Sequence, residues 1–115
     1  MNRYLNLAFV ALVFLTATLK EANKDLDSIQ NLLTHKTPTC GCCKEWVKHA
    51  KDNGFNVYTQ DHQNLEDIKK MYAIKAEYRS CHTTVSTNGF IFEGHIPAKY
   101  ITQFLSEDHP NAIGL

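Results

Sequence analysis

Thr37-Pro38-Thr39-Cys40-Gly41-Cys42-Cys43-Lys44-Glu45-Trp46-Val47 is the stretch on which the fold turns. Upstream, Ile29 to His35 carries Ile29, Leu32 and Leu33 and runs into the turn-forming Thr37-Pro38-Thr39, so it reads as a first strand ending just before the cysteines. Downstream, apolar residues fall at Cys43, Trp46, Val47 and Ala50, the i, i+3, i+4, i+7 spacing of a half-buried helix that Gly54 closes. Three cysteines therefore stand at a strand-to-helix junction.

Working outward, Phe55, Val57 and Tyr58 make a short second strand. Asn64 is placed to cap a helix whose first turn carries Glu66 and Asp67 and whose buried side is Leu65, Ile68, Met71 and Tyr72. Thr83 to Thr87 is mostly β-branched, Asn88-Gly89 is a favoured two-residue hairpin turn, and Phe90, Ile91 and Phe92 return antiparallel. Pro97 opens a last helix with Ile101, Phe104 and Leu105 on one face and Pro110 beyond its end. The order β-α-β-α-β-β-α, with cysteines at the first junction, is an α/β, thioredoxin-like arrangement on a mixed four-stranded sheet. Agreement among successive weak signals carries this reading more than any one of them.

The first residues are of another kind. Arg3 precedes an apolar run from Tyr4 to Leu19, and Lys20, Glu21, Lys24 and Asp25 follow. The run is short for a membrane span, which needs about 20 apolar residues, and suits the middle of a secretory signal. Residues 1–19 are thus expected to be a signal peptide or amino-terminal anchor, 20–28 a linker, and 29–115 the folded domain, facing an extracytoplasmic compartment. Any contact with a membrane is expected only through that first segment, if uncleaved. Twelve basic and twelve acidic side chains cancel, so no global field draws this chain to nucleic acid. No Gly-rich phosphate loop, nucleophile elbow or His-Glu-x-x-His motif occurs.

Chemistry concentrates in the cysteines. Cys40 and Cys43 have the C-x-x-C spacing of redox pairs, and Cys40 and Cys42 the C-x-C spacing of chelators. At a helix amino terminus, unpaired N–H groups and the helix dipole favour thiolate, and Lys44 adds positive charge. Neighbouring helical side chains diverge by about 100°, so Cys42 and Cys43 suit separate ions of a small sulfur-bridged cluster better than one ion. Cys81, in Ser80-Cys81-His82-Thr83, lies where a thioredoxin-like fold brings a loop against the redox motif. Soft thiolates point to Cu(I), with zinc in a closed Cys₃His set as the competing choice. Two structural disulfides are the plainer alternative for four cysteines in an exported domain. Of six histidines, His82 adjoins Cys81 and His95 sits at the strand-to-helix corner Glu93-Gly94-His95-Ile96-Pro97, where each can close or tune a metal site. His35, His49, His62 and His109 lie in polar stretches and read as solvated. Trp46 reads as core, and Asp61 and Glu93 as carboxylates without a partner.

Pro38 to Lys44 with Trp46, then Ser80-Cys81-His82-Thr83, then Glu93-Gly94-His95-Ile96-Pro97-Ala98 together resemble the CopG-type copper-resistance proteins over residues 29–107. The resemblance implies a periplasmic thioredoxin-like protein that takes part in copper resistance, handles Cu(I) and Cu(II), and works beside other periplasmic copper-handling proteins. It also implies Cys40, Cys42, Cys43 and Cys81 as copper ligands, with His82 and His95 near the site. Members commonly continue past the last helix into a Gly-, Pro- and Met-containing tail, where this sequence has Asn111-Ala112-Ile113-Gly114-Leu115. Two functions follow: a copper-binding protein, or an enzyme, either a copper-site oxidoreductase or a thiol–disulfide exchanger using Cys40 and Cys43. No acid–base catalytic pair is expected.

Overall fold

In the computed structural model, which describes residues 30–115, strand β1 (Asn31–Lys36) leads into helix α1 (Gly41–Asp52). Strand β2 (Asn56–Asp61), helix α2 (Glu66–Met71), a 3₁₀ turn at Ala76–Tyr78, the hairpin β3 (Thr83–Ser86) and β4 (Ile91–Glu93), and helix α3 (Ala98–Ser106) follow. The strands form one mixed sheet in the order β2-β1-β3-β4, with β1 parallel to β2 and antiparallel to β3. This is the expected β-α-β-α-β-β-α order, and its topology is compatible with the thioredoxin-like arrangement. The expected signal or anchor (1–19), linker (20–28) and Ile29 lie outside the described residues.

Pairing decides the two faces of the sheet. Thr34, Thr84 and Phe92 are opposite one another across β1, β3 and β4, and so share a face. Leu32, two residues from Thr34, joins Phe92 in a core with Trp46, Val47 and Ala50 of α1 and Ile101 and Phe104 of α3. Thr34 and Thr84 satisfy each other's hydroxyls at 2.9 Å within it. On the other face His35, Thr83 and Glu93 line up in register, and α2 contributes Lys69 there.

Helix α1 buries Cys43, Trp46, Val47 and Ala50, as its periodicity requires, and Cys40 caps it by accepting the Cys43 N–H on its sulfur at 3.3 Å. Helix α2 meets expectation in part, since Leu65 at its start is buried and Ile68 and Tyr72 are half-buried. Within the helix the buried residue is Lys69, while Met71 is exposed, because the sheet face it covers is polar and offers a carboxylate. Asn64 does accept the Glu66 N–H, at 3.2 Å.

The hairpin also differs. Ser86 N–H donates to Phe90 O, so the loop is the three residues Thr87-Asn88-Gly89 rather than a two-residue Asn88-Gly89 turn. A two-residue turn of that type needs two left-handed residues, and only Gly89, at φ +86°, is left-handed. The shorter loop would slip the register by one and set Glu93 instead of Phe92 opposite Thr84, on the core face. Past α3, Ile113 and Leu115 hydrogen-bond along β4, so the domain extends beyond the end of α3 at Ser106. Among the described residues no helix is long and apolar enough to cross a membrane.

Candidate metal centre

Three segments meet at one end of the sheet: the start of α1, the Ser80–His82 loop entering β3, and the corner after β4. Helix α1 starts where β1 ends because Pro38 and the Thr37 turn break the strand; Cys40 N–H donates to Thr37 O at 3.3 Å. The result places the sulfurs of Cys40, Cys42, Cys43 and Cys81 all within 4.8 Å of one another. A second set, Cys81, His82 and His95, meets the same distance. Cys81 belongs to both, so all six residues expected from the sequence come together around it.

The structure shows the oxidised form. Cys40 and Cys43 are joined by a disulfide, and Cys42 and Cys81 are free thiols. The alternative of two structural disulfides is therefore not what forms; one pair closes and two thiols stay beside it. Cys42 Sγ lies 3.4 Å from Cys40 Sγ, and Cys43 Sγ stands 3.7 Å from the Cys81 carbonyl oxygen.

Both histidines point at the same sulfur: His82 Nδ1 lies 3.4 Å and His95 Nε2 3.3 Å from Cys81 Sγ. His82 is fully buried against the Trp46 ring at 4.8 Å, whereas His95 is exposed. Burial, helped by the nearby His95 and Lys69 charges, pushes His82 down to about 4, so its imidazole is neutral with a lone pair to give. His82 Nε2 is buried and has no partner among the described residues. Burial pushes the Cys81 thiol up, and Cys42 beside it adds to this. A bound cation would reverse that preference, because a coordinating thiol is deprotonated outright.

Trp46 does more than fill the core. Its Nε1–H donates to Ile96 O at 2.8 Å and so ties α1 to the corner that carries His95. His49 Nε2 accepts the Ala98 N–H at 3.0 Å and caps α3. His35 is not solvated, as its polar neighbours suggest, but buried with its Nδ1 2.9 Å from His62 Nε2. Asp61 and Glu93 are not unpartnered either, since Asp61 binds Lys36 at 2.5 Å and Glu93 is paired with Lys69. Gly94 was a silent part of its motif. It is left-handed, at φ +79°, and a β-carbon there would lie 2.6 Å from Ser80 Oγ, so only glycine lets the Cys81 loop come this close.

A mixed four-stranded sheet carrying a cluster of thiols and imidazoles at a helix amino terminus defines a thiol-rich α/β domain. Comparison gives the particular family. The family described as a protein of unknown function, DUF411, matches residues 78–115. Two solved structures titled copper resistance protein CopG align closely. Form 2 is 31% identical with a TM-score of 0.69, over 76% of this chain and 68% of that one. Form 1 is 32% identical with a TM-score of 0.66, over 73% and 65%. No curated protein matches. The chain belongs to the CopG-type family.

Proposed function

We propose that this protein binds copper as cargo in the periplasm and contributes to copper resistance, with Cys40, Cys42, Cys43 and Cys81 as its thiolate ligands. The observation that carries this is the convergence of four sulfurs within 4.8 Å, with His82 and His95 both directed at Cys81. The donor chemistry fits: thiolates select Cu(I), and a neutral buried imidazole suits copper in either oxidation state. Four sulfurs from two backbone segments can bridge several ions, so a small Cu(I)–thiolate cluster is the expected form in the reduced protein. Relatives titled copper resistance proteins support the choice of copper over zinc. Export rests on the apolar run at residues 4–19, with the folded domain starting near residue 29.

Redox cycling belongs to the same proposal. Closing the Cys40–Cys43 disulfide releases two electrons and two protons, enough to convert two Cu(II) to two Cu(I) while Cys42 and Cys81 stay available as ligands. The observed Cys40–Cys43 bond also favours a second reading, thiol–disulfide exchange without metal.

Titration of the reduced residues 20–115 with Cu(I) and Zn(II), with free thiols counted in parallel, separates these. Several Cu(I) per chain with all four thiols consumed supports the copper site. No retained copper, with a disulfide that opens and closes reversibly, supports exchange instead. Cys42→Ser should lower copper stoichiometry and spare a plain exchanger, and unchanged stoichiometry would refute the cluster.

A further inference from the structure

On the face of the sheet turned away from α1 lies a charge pair that the copper reading does not use. Lys69 and Glu93 are ion-paired with side chains only 6% and 8% exposed. Thr83 Oγ1 sits between them, accepting from Lys69 Nζ at 3.0 Å and donating to Glu93 Oε2 at 2.8 Å. The other carboxylate oxygen, Oε1, accepts the backbone N–H of Ser80 at 2.8 Å. Taking two charges out of water is costly, and a buried pair is weak evidence for stability, so what matters is what this one holds in place.

It holds the loop that carries Cys81. Glu93 grips the backbone N–H one residue before that cysteine. The chain then continues through Gly94, whose N–H donates to His82 O at 2.9 Å, one residue after it. Next comes His95, whose Nε2 meets the Cys81 sulfur. One carboxylate thus sits at the crossing of the two segments that supply Cys81, His82 and His95. The Ser80 N–H it binds has no strand partner, because regular pairing starts at Thr83 opposite Glu93 itself.

We infer that Glu93, held by Lys69 and Thr83, is a positioning residue that fixes the Ser80–Cys81 loop so that the Cys81 sulfur stands against Cys42 and His95. The inference rests on the copper reading for its purpose, but its geometry concerns the protein's thiols alone.

A two-armed thiol reagent tests it without metal. In protein with the Cys40–Cys43 disulfide closed, the free cysteines are Cys42 and Cys81, so the rate at which dibromobimane becomes fluorescent by bridging two thiols reports their approach. The paired variants Lys69→Met/Glu93→Gln and Lys69→Met/Glu93→Ala both remove the charges, and only the first keeps an acceptor for the Ser80 N–H. The glutamine variant should bridge within about threefold of the parent rate and the alanine variant at least about tenfold more slowly, the size of effect that lost proximity gives. Equal rates in two folded variants overturn the inference. Should the alanine variant not fold, Glu93→Asp keeps the charge and draws the acceptor back by one methylene; slowed bridging supports the inference and a parental rate overturns it. Copper titration of the parent keeps the readings apart. Bridging that depends on residue 93 in a protein that binds no copper sinks the copper reading and leaves the positioning intact.

Discussion

Two pairs of histidines in this molecule have nearly the same shape and opposite chemistry. His35 and His62 place their ring centroids 5.1 Å apart, and so do His82 and His95. In each pair one ring is buried and the pKa of that ring is lowered, first by burial and then by its partner. The first pair spends its facing nitrogens on each other, at 2.9 Å. The second turns both rings to the sulfur of Cys81. The difference teaches that a histidine pair becomes a candidate site through the third donor it converges on, not through burial or spacing.

The largest test of that comparison removes the shared sulfur. Cys81→Ser should weaken Cu(I) binding by more than about a hundredfold, beyond the 10–100-fold that outer partners of a metal usually cost, as read by competition with a Cu(I) chelator. Unchanged affinity would show that the His82–His95 pair is no more a site than His35–His62.

Acid sharpens the comparison next. His82 in the folded protein, at about 4, titrates below its ordinary value of 6.5. Between those values the unfolded chain takes up more protons, so the stability that His82 contributes is complete above about pH 6.5 and is lost as pH falls towards 4. His35 acts in the same direction. Urea midpoints of the metal-free protein should therefore fall from pH 7 to pH 5. His82→Asn should flatten that profile more than His35→Asn, and the reverse ranking would contradict the assignment of the more strongly depressed ring.

A smaller effect is expected at the exposed partner. His95→Ala should weaken Cu(I) binding by roughly tenfold, since His95 reaches the site through Cys81. Smaller still for copper is His62→Ala, which should leave uptake unchanged and lower folding stability by about 1–3 kcal/mol, because it strands His35 Nδ1 in a buried setting. Any loss of copper in that variant would break the distinction between the two pairs.

What could be read from the sequence followed a clear physical line. Helix α1 was legible because its four buried residues repeat with the helical period, and the cysteine and histidine motifs were legible because each is compact along the chain. Lys69 and His35 were not. A lysine or histidine among polar neighbours reads as solvated, and the partners that bury these two lie 24 and 27 residues away. The hairpin was half legible. Asn88-Gly89 marked the turn, but the loop length depends on which residue takes the left-handed conformation, and only Gly89 does. The amino-terminal reading lies outside the described residues, and protein found in a periplasmic extract of cells expressing the full chain would support it.

Trp46 is the sole tryptophan of the chain, and its indole lies on the buried ring of His82 while its N–H is tied to the corner carrying His95. The protein therefore carries its own optical reporter at the place where its donors converge. Light emitted by that indole comes from beside Cys81, so quenching by Cu(II), or a shift in emission as the Cys40–Cys43 bond opens, would register local events with no dye attached and no residue altered.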